Sequence, residues 1–153
     1  MQLQKIHQKD NQLSLADIKL RNDKLWLLEL SAELELENKE RIISCLLSFV
    51  QERHWKDILV IIHKESRGDS LAFSGQDYGI MQINRIHLSH ISDRDSLWNI
   101  EYNMRFAYNE IFIKYCLLDY NNRFKRYNGS SEYQYHANKL LETINETNNA
   151  RPM

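Results

Sequence analysis

Apolar residues recur every three or four positions along most of the chain, the spacing that places them on one face of an α-helix. The first such stretch follows Ser14, and Asp17 three positions later completes a typical helix N-cap signature. It predicts a helix to about Leu36, interrupted near Asn22, followed by a helix over 42–50 that Asn38 caps. Further stripes predict helices over 58–65, 97–115 and 135–147. With only four glycines and one proline, the chain is predicted to be mainly all-α, with a small β-like excursion between 70 and 78.

The helix over 58–65 carries a carboxylic acid on its apolar face. Glu65 falls at helical spacing with Ile58, Ile61 and Ile62. Burying a charged carboxylate among aliphatic side chains is costly, so its pKa is expected to rise. A carboxyl that keeps its proton near neutrality can act as a general acid, for example toward a glycosidic oxygen.

Four short motifs then occur in a fixed order along the chain. They are Glu65-Ser66, Ser74, the run Gly79-Ile80-Met81-Gln82-Ile83, and Tyr127-Asn128. Together they resemble the soluble lytic transglycosylases, over residues 45–145. The resemblance implies a lysozyme-like fold, related to that of goose-type lysozymes, with an extra N-terminal helical segment. The sequence Met-Gln-Ile-Asn at 81–84 is similar to that of the small enzymes that accompany secretion systems, conjugation machines and phages.

The resemblance also implies a mechanism with a single carboxyl group. Glu65 would protonate the leaving oxygen of a MurNAc-β-1,4-GlcNAc bond and then remove a proton from the C6 hydroxyl, which leaves a 1,6-anhydromuramyl end. The Tyr127 hydroxyl would hydrogen-bond Glu65, and Ser74 would position the N-acetyl group or stabilise charge at the anomeric centre. The other residues implied to bind the glycan or support the site are Ser66, Met81, Gln82, Asn84 and Asn128.

Two positions depart from the family pattern. Asn103 stands where a glycine is frequent, a change expected to affect packing without touching the chemistry. The usual Tyr-Asn-x-Gly is shortened to Tyr-Asn-Gly at 127–129, which affects the expected shape of that loop.

Two other functions stay open. A hydrolase of the goose-type lysozyme kind would need an acidic residue to direct water, and at the position after Gln82-Ile83 where such enzymes carry Asp, this chain has Asn84. Among the remaining carboxylates, Asp77 lies nearest in sequence to the segment Gly79-Ile80-Met81-Gln82. The third hypothesis is a non-catalytic protein that binds or assembles the cell wall, although the presence of Glu65 argues against it.

Charge, hydropathy and residue spacing argue against several other classes of function. The net charge is −1 with no basic block, so no nucleic-acid partner is expected. The longest aliphatic run, 58–62, is too short to span a membrane. His87 and His90 have a spacing that suits a metal, but no third ligand is evident, and neither metal nor cofactor is predicted. Cys45 and Cys116 lie in apolar helical stretches and are interpreted as core residues.

The length of 153 residues fits one catalytic domain with accessory segments. We expect an N-terminal arm and helices packed on the core over 1–44, the lysozyme-like domain over 45–147 and a flexible tail over 148–153. The N-terminal helices are expected to dock a protein partner from phage or secretion machinery. Because the N-terminus lacks the apolar region of a secretory signal, we expect synthesis in the cytoplasm and delivery to the cell wall by such machinery.

Overall fold

The computed structural model describes residues 13–147, so the predicted arm over 1–12 and tail over 148–153 lie outside the described residues. Within this range the chain is mainly helical, which confirms the predicted fold class. The α-helices are α1 Leu15–Glu33, α2 Lys39–Phe49, α3 Trp55–Glu65, α4 Ile100–Phe106, α5 Arg123–Asn128 and α6 Ser131–Thr147. Short 3-10 helices cover Glu52–His54, Arg85–His90, Arg94–Trp98 and Cys116–Asn122, and a π-helix covers Ala107–Ile113.

Helix α1 begins as predicted, because the Ser14 side chain accepts a hydrogen bond from the Asp17 backbone N–H. The predicted interruption near Asn22 is wrong, since α1 is continuous to Glu33. Its inward face contributes Trp26, Leu27 and Leu30 to the same hydrophobic core as the later helices. Its outward face leaves other apolar side chains exposed, namely Leu15, Ile18, Leu20 and Leu25. The docking of a protein partner on the N-terminal helices stays a prediction.

Asn38 precedes α2, but the predicted side-chain cap is wrong. Asn38 adopts a left-handed conformation with a φ of 56° and makes no side-chain cap bond. Its Nδ2 instead donates to the backbone carbonyl of Gly68 at 2.9 Å. The loop between α1 and α2 therefore contacts the chain just after α3.

Helix α3 lies at the centre of the core. All residues from 58 to 62 are buried, so the helix is enclosed around its whole circumference there and not only on one face. At its N-terminal end Asp57 forms a buried ion pair with Arg123 of α5, at 2.7 Å between Oδ2 and Nε and 3.1 Å between Oδ1 and Nη2. This bidentate pair fixes α3 relative to α5. Cys45 and Cys116 are buried free thiols, as predicted.

A two-stranded antiparallel hairpin follows α3, with β1 at Asp77–Tyr78 and β2 at Ile83–Asn84. The register pairs Asp77 with Asn84 and Tyr78 with Ile83. Phe73 adds an isolated bridge to Tyr78. These contacts confirm the predicted β-like excursion and extend it to Asn84.

The prediction of one continuous helix over 97–115 is wrong. Asn99 has an extended backbone, with φ −84° and ψ 126°, and its side chain caps α4 by accepting from the Tyr102 N–H. The chain therefore changes from 3-10 to α-helix at this point and from α- to π-helix after Phe106. The final helix begins at Ser131, one turn before the predicted start at Tyr135. No helix within residues 13–147 has both the length and the apolar composition needed to cross a bilayer.

Candidate active site

Glu65 is the last residue of α3, and its carboxyl group lies at the wall of a cavity of about 510 Å³. Its Oε2 atom is buried and has no hydrogen-bond partner among the described residues. Burial raises the pKa of Glu65 from 4.5 to about 7, with a smaller contribution in the same direction from the charge of Asp77. The sequence-based expectation of a carboxyl that stays protonated near neutrality agrees with this position.

Tyr133 of α6 affects the pKa of this carboxyl, and it was not among the site residues predicted from the sequence. Its hydroxyl interacts with the Glu65 carboxyl and opposes the rise in the Glu65 pKa. The geometry is loose, because neither Glu65 Oε2 nor the Tyr133 hydroxyl makes a hydrogen bond of normal length and angle among residues 13–147. Burial raises the pKa of Tyr133 far above its ordinary value, so its hydroxyl keeps its proton. The Lys64 ammonium lies 5.6 Å from the Tyr133 ring centroid and contacts its face.

The signal that identifies Tyr133 was available in the sequence. Ala137 and Ile144 are buried on α6. Tyr133 lies one turn before Ala137, on the same stripe. Placing the helix start at Tyr135 instead of Ser131 removed Tyr133 from that stripe.

The chain leaves α3 through a turn that is held from two sides. Arg67 and Gly68 both have positive φ, 54° and 88°. A Cβ on Gly68 would lie 2.3 Å from the carbonyl oxygen of Glu37, so only glycine fits this close approach. Ser66 fixes the other side, since its Oγ donates to the Ile80 carbonyl at 2.6 Å. Ser66 thus supports the site by joining the end of α3 to the hairpin.

The tip of the hairpin, 79–82, depends on Asn103 of α4. The Asn103 Oδ1 accepts from the Met81 N–H at 3.0 Å, and its Nδ2 donates to the carbonyls of Tyr78 at 2.9 Å and Leu97 at 3.0 Å. Asn103 is fully buried. The expectation that this departure from the family pattern affects packing alone is therefore too narrow, because Asn103 holds the backbone of the predicted glycan-binding segment.

Gln82 ends the hairpin tip in a left-handed conformation with a φ of 51°. Its Nε2 donates to the carbonyls of Ala72 and Gly79, each at 2.9 Å, which fixes the side chain against the preceding loop. Gln82 lines the cavity. Met81 is fully buried, so its side chain belongs to the core and only its backbone serves the site.

Asp77 faces the same cavity as Glu65 and is held by two of the predicted site residues. Ser74 Oγ donates to Asp77 Oδ2 at 3.1 Å, and Asn84 Nδ2 donates to Asp77 Oδ1 at 2.8 Å. Ser74 itself is exposed on the loop and is not part of the cavity wall. Both residues therefore orient a carboxylate beside the general-acid candidate.

Tyr127 lies beside Glu65, but the predicted hydrogen bond between them is not formed. The Tyr127 hydroxyl donates to the Met81 carbonyl at 2.5 Å. It is close enough to Glu65 that the carboxylate charge, together with the larger effect of burial, raises the pKa of Tyr127 well above its ordinary value. Tyr127 thus connects α5 to the hairpin tip, while Asn128 is exposed at the cavity wall.

The cavity therefore brings together five of the eight predicted site residues, namely Glu65, Gln82, Asn84, Tyr127 and Asn128. The other three, Ser66, Ser74 and Met81, are not part of the cavity wall. The wall also includes residues that sequence reasoning did not select, among them His87, Glu110, Tyr115 and Arg126. His87 comes from a 3-10 helix, Glu110 from the π-helix, Tyr115 from the turn after it and Arg126 from α5. Apart from the histidine spacing at 87 and 90, no local sequence pattern marks these residues as functional.

The chain is similar to a known protein family. The model of the transglycosylase SLT domain matches residues 50–128, just over half of the chain. The search of curated proteins produced no match, and neither did the search of solved structures. The match covers Glu65, the hairpin and Tyr127-Asn128, agrees with an all-α lysozyme-like fold, and supports lytic transglycosylase activity on peptidoglycan at the level of the family. The chain therefore belongs to the transglycosylase SLT domain family.

Proposed function

We propose that this protein cleaves the MurNAc-β-1,4-GlcNAc bond of peptidoglycan as a lytic transglycosylase, with Glu65 as its only general acid/base. The observation that carries the proposal is the Glu65 carboxyl at the wall of the 510 Å³ cavity, with one oxygen buried and a pKa raised to about 7. Such a group is populated in both protonation states near neutral pH, so it can donate a proton and later accept one.

The reaction takes place in two proton transfers. Protonated Glu65 donates to the glycosidic oxygen, the bond from C1 of MurNAc to that oxygen breaks, and GlcNAc leaves as an alcohol. The Glu65 carboxylate then removes the proton of the C6 hydroxyl as O6 bonds to C1. No water is consumed, and Glu65 regains its starting protonation state.

The surrounding residues orient this carboxyl group and the glycan. The polar side chains of Gln82, Asn84 and Asn128 line the cavity and provide hydrogen bonds to sugar hydroxyl and acetamido groups. Tyr133 keeps the Glu65 pKa from rising further. Tyr127 and Ser66 hold the hairpin tip against α5 and α3.

One observation favours a second candidate, a peptidoglycan hydrolase. Asp77 lines the same cavity as Glu65, and its carboxylate is oriented by Ser74 and Asn84. In this reaction Asp77 would accept a proton from a water molecule that attacks C1 while Glu65 protonates the leaving oxygen. The product would be a reducing end instead of an anhydro end.

Mass spectrometry of the muropeptides released from purified peptidoglycan separates the two reactions. We expect anhydro-ended products from the native protein and none from Glu65→Gln. In H₂¹⁸O, a transglycosylase product carries no label, whereas a hydrolase product carries ¹⁸O at C1. Labelled reducing ends that disappear in Asp77→Asn would replace the first proposal by the second. Absence of products from folded native protein would refute both and favour a non-catalytic wall-binding protein.

A further inference from the structure

A second cavity, of about 320 Å³, adjoins the active-site cavity. The two share Tyr115, Arg126 and Gly129 as wall residues. The rest of the second wall consists of Asp119, Asn122 and Lys125. A ligand in the active-site cavity can therefore extend into the second cavity without leaving the surface of the protein.

The wall of this second cavity is held in place by specific contacts. The Arg126 guanidinium packs over the Tyr115 ring, 4.7 Å from its centroid, and its Nη1 donates to the Tyr115 carbonyl at 3.1 Å. Gln134 of α6 accepts from the Lys125 backbone N–H and donates to Asn122 Oδ1, each at 3.0 Å. Arg126 is thus oriented before any ligand arrives, which reduces the entropy lost on binding.

The two cavities share Arg126 but differ in the other charged residues of their walls. Glu65, Asp77 and Glu110 line the active-site cavity alone, and Glu110 is paired there with Lys114 at 2.6 Å. The second cavity has the cations Lys125 and Arg126 and one acid, Asp119, whose carboxylate already accepts from Asn122 at 2.8 Å. Lys125 is exposed and forms no ion pair among the described residues. The second cavity therefore offers the uncompensated positive charge of Lys125 to a ligand.

We propose that this basic cavity binds the carboxylates of the peptide attached to MurNAc, so that the protein recognises peptide-bearing glycan in preference to bare glycan. The identity of the ligand rests on the proposed function. The hydroxyl and acetamido groups of the sugars are neutral. Where a peptide is attached, the lactyl carboxyl of MurNAc is an amide, so the free carboxylates of peptide-bearing glycan lie on its peptides. A planar guanidinium held on an aromatic ring and a neighbouring ammonium suit carboxylate recognition.

Isothermal titration calorimetry on the Glu65→Gln protein tests this proposal without turnover. The two ligands are a GlcNAc-MurNAc disaccharide with a tetrapeptide and, as the bare ligand, the same disaccharide with its lactyl carboxyl converted to the neutral methylamide in place of the peptide. Lys125→Glu is compared with Lys24→Glu, which makes the same charge change at an exposed position of α1 away from both cavities. We expect Lys125→Glu to weaken binding of the peptide-bearing ligand about tenfold, and to reduce its preference over the bare ligand by a similar factor. We expect Lys24→Glu to leave that preference unchanged.

Equal weakening of both ligands by Lys125→Glu would identify the cavity as a sugar subsite and overturn the proposal. An unchanged preference in Lys125→Glu would also overturn it. Circular dichroism of each variant excludes loss of fold as the cause. Because binding is measured in a protein without turnover, a peptide preference that depends on Lys125 stands even if the native protein yields no anhydro products, so the two proposals fail separately.

Discussion

Replacing Glu65 by glutamine should abolish glycan cleavage and, at alkaline pH, stabilise the fold. Glutamine is close to the protonated carboxyl in size but cannot ionise. In the native protein the Glu65 pKa is raised from 4.5 to about 7, mainly by burial. Below about pH 4.5 the carboxyl is protonated in both the folded and the unfolded chain, and it adds no pH dependence to stability.

Between these two pKa values the folded protein holds a proton that the unfolded chain has lost. The free energy of unfolding therefore falls as the pH rises through this range, and above about pH 7 the full cost of a buried carboxylate is present. A shift from 4.5 to about 7 corresponds to roughly 3 kcal/mol, because one pKa unit corresponds to about 1.4 kcal/mol. Since the cavity admits solvent to the carboxyl, the expected effect is smaller. We expect the free energy of unfolding of Glu65→Gln, relative to that of the native protein, to be about 2 kcal/mol higher at pH 8 than at pH 4.

Urea unfolding of native protein and Glu65→Gln at several pH values from 4 to 8 measures this difference. Glu29→Gln, at an exposed position of α1, is the matched control for the loss of one carboxyl group. A free-energy difference for Glu65→Gln that stays constant across the range would refute the argument that burial raises the pKa. For the native enzyme, kcat/KM should fall as the pH rises through about 7, because the general acid is then deprotonated.

Three further substitutions test the supports of the site. Arg123→Met leaves Asp57 buried and unpaired and should lower the free energy of unfolding by about 3–5 kcal/mol; if chemical denaturation shows no loss, the pair is unimportant for the fold. Asn103→Ala removes three buried hydrogen bonds. We expect the free energy of unfolding to fall by about 3 kcal/mol and the KM for glycan to rise. An unchanged KM would restrict the role of Asn103 to packing. Tyr133→Phe removes the hydroxyl that opposes the rise in the Glu65 pKa, so the alkaline limb of the pH–rate profile should move to higher pH, and movement toward lower pH would contradict this assignment.

The positions of α1, α2, α3 and α6 followed closely from hydrophobic spacing, because each buries a stripe that repeats with the helical period. Besides the predicted interruption near Asn22 and the late start of α6, two errors involve the side chain of an asparagine. Asn99 has an extended conformation and caps α4, so the stripe over 97–115 continues across a break that spacing alone does not reveal. Asn38 resembles a cap in sequence but donates across the structure to Gly68, a contact that no local pattern predicts.

The sequence by itself determined the direction in which the pKa of Glu65 is shifted. A glutamate that follows an aliphatic helical stripe must lose hydration when that stripe is buried, so the direction of its pKa shift did not depend on further structure. The tertiary structure alone decided which side chains complete the site. It directs the Tyr127 hydroxyl to Met81 instead of Glu65, brings Tyr133 to the carboxyl, and places Asn103 beneath the hairpin tip. The physical reason is that helical spacing identifies which face of an element is buried, whereas the partner of each polar group depends on how distant elements pack together.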